Sequence, residues 1–395
     1  MKHVSILEQQ DWMKAAETKA VMDALGTGQA MFVGGCVRNA LLGEPVEDID
    51  IATKHTPEEA EKILTAANIK VIPSGIDHGT ITAVTNGKPF EITTLRKDVE
   101  TDGRRASVAF THDWAEDAAR RDFTMNTLLM DMDGKIYDPL GREGKGGLDD
   151  LRACRVIFVG NPQERIAEDH LRILRYFRFH ALYARNAPDE KSLAACRDAA
   201  DKIPDLSRER ITQEFFKILS VEEPTKILSI MFENNILNIF SKVGYDEKLL
   251  KHLCAFQNNY ALAFLSSRLL VLLGLNKDNL EKFEQYLLIP KIFKKDMAAI
   301  TGVLALPDLK EDHAVKVAIY KFGRVPTAQA LMIELAQDRV MNGYGPKAIE
   351  IIQKWEIPNV PTTGENLIKK GIQPGPELGQ ELERLENEWI DRGFE

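Results

Sequence analysis

The sequence predicts an α+β fold in which a mixed α/β head is followed by an elongated, all-helical remainder. Strand patterns and glycine turns are confined to about the first 150 of the 395 residues. Beyond about Leu151, apolar residues recur at helical spacing and strand patterns nearly vanish. Domains usually span about 100–200 residues, so we expect two to four structural units.

The head opens with a strand that leads into a glycine turn and a helix. Met31–Val33 is a short apolar run, and Gly34 and Gly35 follow it directly. Val37–Leu42 has helical character and stops at Gly43, a residue typical of helix ends. Glycines at such a turn let a phosphate approach the backbone N–H groups at the start of a helix.

The next segment, Val46–Thr53, alternates between polar and apolar residues as a strand does. Ile49 and Ile51 fall on one face, and Asp48 and Asp50 fall on the other. Two carboxylates at this spacing can share magnesium ions with a triphosphate. An isolated pair would more often decorate an exposed strand, but the preceding glycine turn strengthens the functional interpretation.

Further elements of the head follow from local patterns. A capped helix begins at Thr56, and strands are expected at about Thr80–Thr85 and Pro89–Arg96. The polar stretch Lys97–Asp113 is interpreted as a loop, and a helix is expected from Trp114 to about Met130. The helical remainder contains five long stretches with apolar residues at helical spacing: Ile166–Ala184, Arg208–Leu219, Thr225–Ile239, Glu247–Leu273 and Ala328–Trp355.

Composition narrows the functional classes. The net charge of −9 lowers the expectation of nucleic-acid binding, although it does not exclude a local basic groove. No apolar run approaches the ~20 residues of a membrane span, and the N-terminus lacks the pattern of a secretory signal. The four cysteines are far apart in the sequence, which disfavours a zinc site and favours a reducing, cytoplasmic location.

The segment Gly34–Gly43, taken together with Asp48 and Asp50, resembles motif A of the class II nucleotidyltransferases. This class contains the tRNA nucleotidyltransferases, or CCA-adding enzymes, and the bacterial poly(A) polymerases. Asn39 departs from the motif, which has aspartate at this position. The resemblance implies that Asp48 and Asp50 are catalytic and hold two Mg²⁺ ions.

Further segments extend the resemblance over most of the chain. Arg120–Asn126 resembles motif B, Asp138–Leu151 resembles motif C with extra residues between its glycines, Glu168–Arg175 resembles motif D, and the segment from Ser207 resembles motif E. The resemblance assigns nucleotide binding to ten residues: Gly34, Gly35, Arg38, Arg121, Asp122, Asn126, Asp169, Arg172, Arg175 and Arg178.

Motif D also has a physical interpretation. On one helix, Asp169 and Arg172 would lie three residues apart, and a solvated ion pair between them would be worth only ~0.2–0.5 kcal/mol. A carboxylate accepts from an exocyclic amine, whereas a guanidinium donates to a ring nitrogen or a carbonyl. Cytosine and adenine present that amine, so the pair could select CTP and ATP without a template.

A third carboxylate and an adjacent segment refine the expectation. Glu91 alternates with the apolar Phe90 and Ile92, and the resemblance makes it a third catalytic candidate beside a solvated strand glutamate. The segment that starts at Arg96 has the R-x-D pattern of the CCA-adding enzymes. Arg38, one turn into its helix, is expected to pair with a phosphate.

The resemblance implies a head at 1–152, a base-reading neck at 153–222, a body at 223–307 and a tRNA-binding tail at 308–395. It implies addition of CMP and AMP from CTP and ATP to the 3′ end of tRNA, with no membrane or stable protein partner. A poly(A) polymerase acting on general RNA ends and a catalytically inactive RNA-binding protein remain the alternatives.

Overall fold

The computed structural model describes residues 1–76, 79–102, 105–141, 146–237, 246–260, 264–276, 279–306, 309–338 and 343–395. It confirms the α+β class, with a mixed sheet near the N-terminus and helices after it. The chain forms two compact units, Met1–Glu214 with Asn234–Ile239, and Phe215–Glu233 with Phe240–Glu395. The finer division into head, neck, body and tail stays a prediction.

The strands of the first unit form one mixed sheet and a separate hairpin. In the described residues they are β1 (Ser5–Ile6), β2 (Ala30–Val33), β3 (Asp50–Thr53), β4 (Lys70–Gly75), β5 (Thr80–Thr85), β6 (Lys88–Thr94), β7 (Arg96–Asp102), β8 (Arg105–Phe110), β9 (Leu129–Met130) and β10 (Lys135–Tyr137). The sheet has the order β1-β10-β9-β2-β3-β6-β5-β4, and β7 pairs with β8. Strands β3 and β6 run parallel, with Asp50 opposite Glu91.

The described helices of the first unit are α1 (Asp11–Lys14), α2 (Ala16–Leu25), α3 (Gly35–Leu42), α4 (Pro57–Ala66), α5 (Trp114–Ala119), α6 (Gly147–Arg152), α7 (Pro162–Glu168), α8 (Leu171–Tyr183), α9 (Glu190–Asp198) and the start of α10 (Arg208–Leu219). Two 3₁₀ turns, Thr124–Asn126 and Ala200–Asp205, lie between them.

The predicted strand, glycine turn and helix at the start of the head are confirmed. Gly34 precedes α3 with a positive φ of 71°, and Gly43 ends the helix in the left-handed conformation. A Cβ at Gly34 would lie 3.7 Å from Oδ2 of Asp50 and 3.8 Å from Nη1 of Arg121. Glycine therefore permits both the turn and the close approach of these two side chains.

Two interpretations of the sequence between the strands and motif B are wrong. The predicted loop Lys97–Asp113 contains most of a hairpin, in which Arg96 lies opposite Phe110. Hydrogen bonds between the two backbones form this hairpin although the sequence has no apolar strand pattern there. Residues 103–104 lie outside the described part of the chain. The predicted helix from Trp114 ends at Ala119, because Asp122 accepts the Phe123 N–H and an Asn126 amide hydrogen and so favours a turn.

The predicted helix Ile166–Ala184 is interrupted at the site-forming motif. Helix α7 ends at Glu168, and Asp169 is extended with φ −154°. The Asp169 carboxylate accepts the Leu171 N–H at 3.1 Å, so it caps the start of α8. Asp169 and Arg172 are therefore not on one continuous helix, contrary to the expectation.

Aromatic packing anchors α8 beneath motif B. Phe123 lies 5.0 Å from Phe158 and 4.9 Å from Phe179 between ring centroids, and Phe158 stacks on Tyr176 at 5.5 Å. Phe123, Phe158 and Tyr176 are almost fully buried. Because rings of this size bury a large apolar area, this cluster fixes the arginine-bearing helix against the sheet unit.

The described helices of the second unit are the end of α10, α11 (Pro224–Glu233), α12 (Glu247–Asn259), α13 (Leu265–Leu272), α14 (Leu280–Glu284), α15 (Lys291–Leu304), α16 (Asp312–Phe322), α17 (Arg324–Ala336), α18 (Gly345–Lys354), α19 (Gly364–Lys369) and α20 (Pro376–Asp391). No described helix is long and apolar enough to cross a membrane.

Three of the predicted long helices in this region are shorter than expected. The stretch Glu247–Leu273 is divided between α12 and α13, and Ala328–Trp355 is divided between α17 and α18. Helix α11 ends at Glu233, and 238–239 lie outside the described residues. Asn235 and Asp338 adopt positive φ angles of 61° and 55°, conformations that an α-helix cannot continue through.

Candidate active site

A cavity of about 500 Å³ in the first unit collects most of the side chains that the sequence singles out. Eleven of the thirteen predicted site residues line it: Gly34, Gly35, Arg38, Asp50, Glu91, Arg121, Asp122, Asn126, Asp169, Arg172 and Arg175. Asp48 lines a second cavity of about 600 Å³, which shares Gly35, Arg38 and Asp50 with the first. Arg178 lines neither of these two cavities.

Carboxylates are crowded on one side of the cavity. Asp50 begins β3 directly opposite Glu91 of β6, and Asp48 lies two residues before it on an exposed segment. Burial and the nearby charge of Glu91 raise the pKa of Asp50 to about 6, and Asp48 adds to this effect. The positive charge of Arg121 opposes the rise. Ionised Asp50 is thus disfavoured unless a further cation balances these acids.

Arg121 is held beside these carboxylates by a residue that the sequence analysis missed. Asp117, which is 4% exposed, accepts hydrogen bonds from Nε and Nη2 of Arg121 at 3.2 Å and 2.9 Å. The four-residue spacing of Asp117 and Arg121 was the signal that could have found this pair, although Arg121 lies two residues beyond the end of α5. Arg121 thereby occupies a fixed position near the glycine turn.

A chain of hydrogen bonds links motif D, motif B and motif A. Arg175 donates from Nε to Oδ2 of Asp122 at 2.8 Å, and Asn126 donates to Oδ1 of Asp122 at 2.9 Å. Burial alone would raise the pKa of Asp122, but Arg175 and these hydrogen bonds hold it below the ordinary value. Arg38 then donates from Nη1 to Asn126 at 2.7 Å.

Arg38 is more enclosed than the sequence suggested. It is 8% exposed, its Nη2 donates to Asn39, and its guanidinium lies 4.3 Å from the ring centroid of Tyr183. Asn39 in turn donates its amide to the Pro45 carbonyl at 3.0 Å, a bond that an aspartate could not make. Asn39 therefore ties the segment before Asp48 to α3.

Asp169 and Arg172 both reach the cavity but pair with different partners. Asp169 accepts from Nη2 of Arg210 at 2.7 Å, and Arg172 pairs with Glu168. The ion pair between Asp169 and Arg172, which was the alternative to base selection, is therefore not formed, and each residue pairs with another side chain. Arg210 belongs to the motif E segment but was not among the predicted site residues, because its approach depends on how α10 packs.

Arg178 pairs with Glu214, a carboxylate that Nη1 of Arg175 also approaches at 3.8 Å. Nε of Arg178 donates to Oε2 of Glu214 at 2.6 Å, and Glu214 is 5% exposed. Helices α8 and α10 are joined at this point by a charge-assisted hydrogen bond.

Comparison with known proteins identifies the family. The head matches the family model described as "Poly A polymerase head domain" over residues 30–157, and residues 187–243 match "Probable RNA and SrmB- binding site of polymerase A". The chain is 33% identical over 365 residues to the zebrafish "CCA tRNA nucleotidyltransferase 1, mitochondrial", which covers 90% of this chain and 82% of that protein. The chain belongs to the CCA-adding enzyme family.

Other relatives agree with this assignment. The "CCA-adding enzyme" of Streptococcus pyogenes is 32% identical over 372 residues, covering 91% of this chain and 88% of that protein. The crystal structure of the Bacillus stearothermophilus CCA-adding enzyme in complex with CTP superposes with a TM-score of 0.78 at 27% identity, covering 95% of this chain and 92% of that one.

Members of this nucleotidyltransferase family use divalent metal ions, and the donor set of this CCA-adding enzyme is compatible with one. Within the described residues, no three His, Cys, Asp or Glu side chains converge as a self-sufficient metal site. Mg²⁺, however, is usually held by one or two carboxylates together with substrate phosphates and water. Burial and the neighbouring acids Glu91 and Asp48 raise the pKa of Asp50, and a cation bound there would favour its ionised form.

The raised pKa of Asp50 predicts a stabilising substitution. Ionising this carboxyl costs more in the folded protein than in the unfolded chain, so stability is lost as pH rises from about 4 to about 6. We expect Asp50→Asn to be about 1–3 kcal/mol more stable than the wild type above pH 6, and equally stable near pH 3. Urea unfolding in EDTA at several pH values measures this difference.

The exposed Asp48 supplies the matched control. Asp48→Asn should stabilise the protein less than Asp50→Asn does above pH 6, because Asp48 is a smaller cause of the raised pKa of Asp50 than burial and Glu91 are. An Asp50→Asn protein that gains no stability at neutral pH would show that Asp50 is not under electrostatic strain.

Proposed function

We propose that this protein adds CMP and AMP, taken from CTP and ATP, to the 3′ end of tRNA without a nucleic-acid template, with release of pyrophosphate. The proposal rests on one cavity that is lined both by Asp50 and Glu91 and by arginines of motifs B and D. Similarity to CCA-adding enzymes over nine-tenths of the chain supports the choice of substrates.

The carboxylate side of the cavity is proposed to serve the reacting atoms. Asp48 and Asp50 would hold Mg²⁺, two ions in the proposed scheme, and Glu91 is the third acid next to them. When bound, such ions lower the pKa of an attacking hydroxyl and neutralise charge on a leaving pyrophosphate. Asp50 must be ionised to bind a cation, so addition should weaken below about pH 6.

The glycine turn and the arginines are proposed to bind the triphosphate. The backbone at Gly34 and Gly35 opens α3 towards the cavity, where a helix N-terminus favours anions. Arg121 extends to the same place, and its guanidinium can pair with phosphate oxygens. Phosphoryl transfer needs positioning and charge neutralisation rather than a covalent nucleophile, and these groups supply both.

The opposite side of the cavity is proposed to select the base. Asp169 and Arg172 line it and together present an acceptor and donors, which complement cytosine and adenine. Arg210 fixes Asp169 through Oδ2, and Asn126 donates a hydrogen bond to Asp122 in the same cavity. Arg175 holds Asp122 in place, and Arg178 holds α10 against α8.

The body and tail regions, the tRNA partner and the cellular location are also part of the proposal. The regions 223–307 and 308–395 are proposed to be the body and the tRNA-binding tail, because relatives that match nearly the whole chain act on tRNA by name. Within the described residues all four cysteines are free thiols, which is compatible with a reducing compartment such as the cytoplasm.

Poly(A) polymerase is the second candidate, because the family model that matches the head carries that name. The full-length similarity favours CCA addition, since the relatives that cover most of the chain are named for it. A catalytically inactive RNA-binding protein is disfavoured, because Asp50, Glu91 and Arg121 are all present around one cavity.

Removing either motif A carboxylate should abolish addition. Asp48→Ala and Asp50→Ala each lose a metal ligand, which should cost several kcal/mol of transition-state stabilisation, or roughly 10³-fold or more in rate. Single-turnover transfer of labelled CMP to a tRNA that lacks its terminal CCA measures the loss. The exposed Asp133→Ala variant is the control and should add CMP at the wild-type rate. Near wild-type rates in both motif A variants would refute the assignment of the catalytic carboxylates.

Removing the Asp169 carboxylate should reduce discrimination between nucleotides more than it reduces the rate of nucleotide addition. A site that hydrogen-bonds a base can reject the wrong one by roughly 10⁴–10⁵-fold in favourable cases, because mismatched polar groups stay unpaired. Asp169→Ala should therefore admit UTP measurably and weaken CTP addition, while Arg172→Ala should weaken both CTP and ATP. The ratio of kcat/KM for CTP over UTP reports the change. If Asp169→Ala keeps the wild-type ratio, Asp169 is only an ion-pair partner of Arg210.

A further inference from the structure

Asp117 is a buried acid at the edge of the cavity that the proposed mechanism does not yet use. It lies in the middle of α5, and its two oxygens have different partners. Oδ2 accepts both hydrogen bonds from Arg121, and Oδ1 accepts the backbone N–H of Arg96 at 3.3 Å. One carboxylate thus contacts both a cavity arginine and the first residue of β7.

The geometry of the pair determines which part of Arg121 faces the cavity. Asp117 takes Nε and Nη2, and Nη1 is the nitrogen that lies 3.8 Å from a Cβ placed on Gly34. Oδ2 of Asp50 lies 3.7 Å from the same point. Two hydrogen bonds along one edge of the guanidinium restrict rotation about the side-chain bonds of Arg121. Its third nitrogen, Nη1, therefore keeps a fixed direction.

The packing of α5 against the sheet keeps the Asp117 carboxylate in a fixed position. Trp114, at the first turn of the helix, belongs to a buried cluster with Met31, Val33 and Leu129 of the sheet. Asp117 is therefore carried by a helix that is packed onto the same strand, β2, from which the glycine turn emerges. The same part of the core therefore positions the Asp117 carboxylate, Arg121 and the glycine turn.

We infer that Asp117 is a positioning residue for nucleotide addition, which acts by holding Arg121 with Nη1 directed at the glycine turn and Asp50. The inference rests on the proposed function, which makes this region the triphosphate site. Asp117 itself does not need to touch the nucleotide. Its contribution is the orientation of a cation that would otherwise sample several rotamers and be misplaced by an ångström or more.

A double-mutant cycle separates this role from a general effect on the fold. Asp117→Asn keeps an oxygen that can accept the Arg96 N–H, but it removes the charge that grips Arg121. We expect kcat/KM for CTP to fall by about 10–100-fold in Asp117→Asn, the range expected for a misplaced site group. In an Arg121→Ala background, the same substitution should cost less than about threefold, because nothing is left to orient.

Glu116→Gln is the matched control. It changes a carboxylate to an amide on the neighbouring residue of α5, where Glu116 is 40% exposed in its side chain and pairs with Lys97. Its kcat/KM should stay within about twofold of the wild type. Asp117→Glu, which keeps the charge, should recover part of the activity lost in Asp117→Asn. If Asp117→Asn does not fold, Asp117→Ser, which also lacks the charge, takes its place in the cycle.

Two results would overturn the inference. One is wild-type kcat/KM in Asp117→Asn, and the other is an equal loss from Asp117→Asn in the presence and absence of the Arg121 side chain. Failure of the proposed function looks different, because the wild-type protein would then not transfer CMP to tRNA at all.

Discussion

The burial of Asp50 next to the carboxylates of Glu91 and Asp48 is the constraint on which the rest of the site depends. Asp50 starts a buried strand, lies opposite Glu91 and follows Asp48, so its ionised form is costly without compensation. Folding keeps this arrangement because the strands that carry the acids are fixed by a buried apolar core. The site thus contains a carboxyl group with a raised pKa in a cavity, an arrangement that is typical of functional sites.

The cationic side of the cavity is organised by local pairing rather than by net charge. Arg121 is held by Asp117, Arg175 by Asp122 and Arg172 by Glu168. Each acid fixes the direction of its arginine and offsets part of its charge. This explains how a chain with a net charge of −9 can still present a cavity suited to a nucleotide triphosphate.

Local chemistry explains which features were predictable. The glycine turn and the capped helix at Thr56 each depend on a few adjacent residues, and both are present. The break at Asp169 was not predictable from periodicity, because its carboxylate caps a new helix where the apolar spacing continues. Asp117 and Arg210 were missed because their roles depend on tertiary packing, which brings α5 and α10 to the cavity.

In the proposed function, protein side chains alone select the nucleotides that are added, without a nucleic-acid template. The most direct measurement is to incubate the wild-type protein with tRNA that ends before CCA and with each nucleotide triphosphate, and to size the products. The proposed function predicts that two nucleotides are added with CTP alone, three with CTP and ATP together, and none with UTP or GTP. A long tail made from ATP alone, on tRNA and other RNA alike, would contradict it.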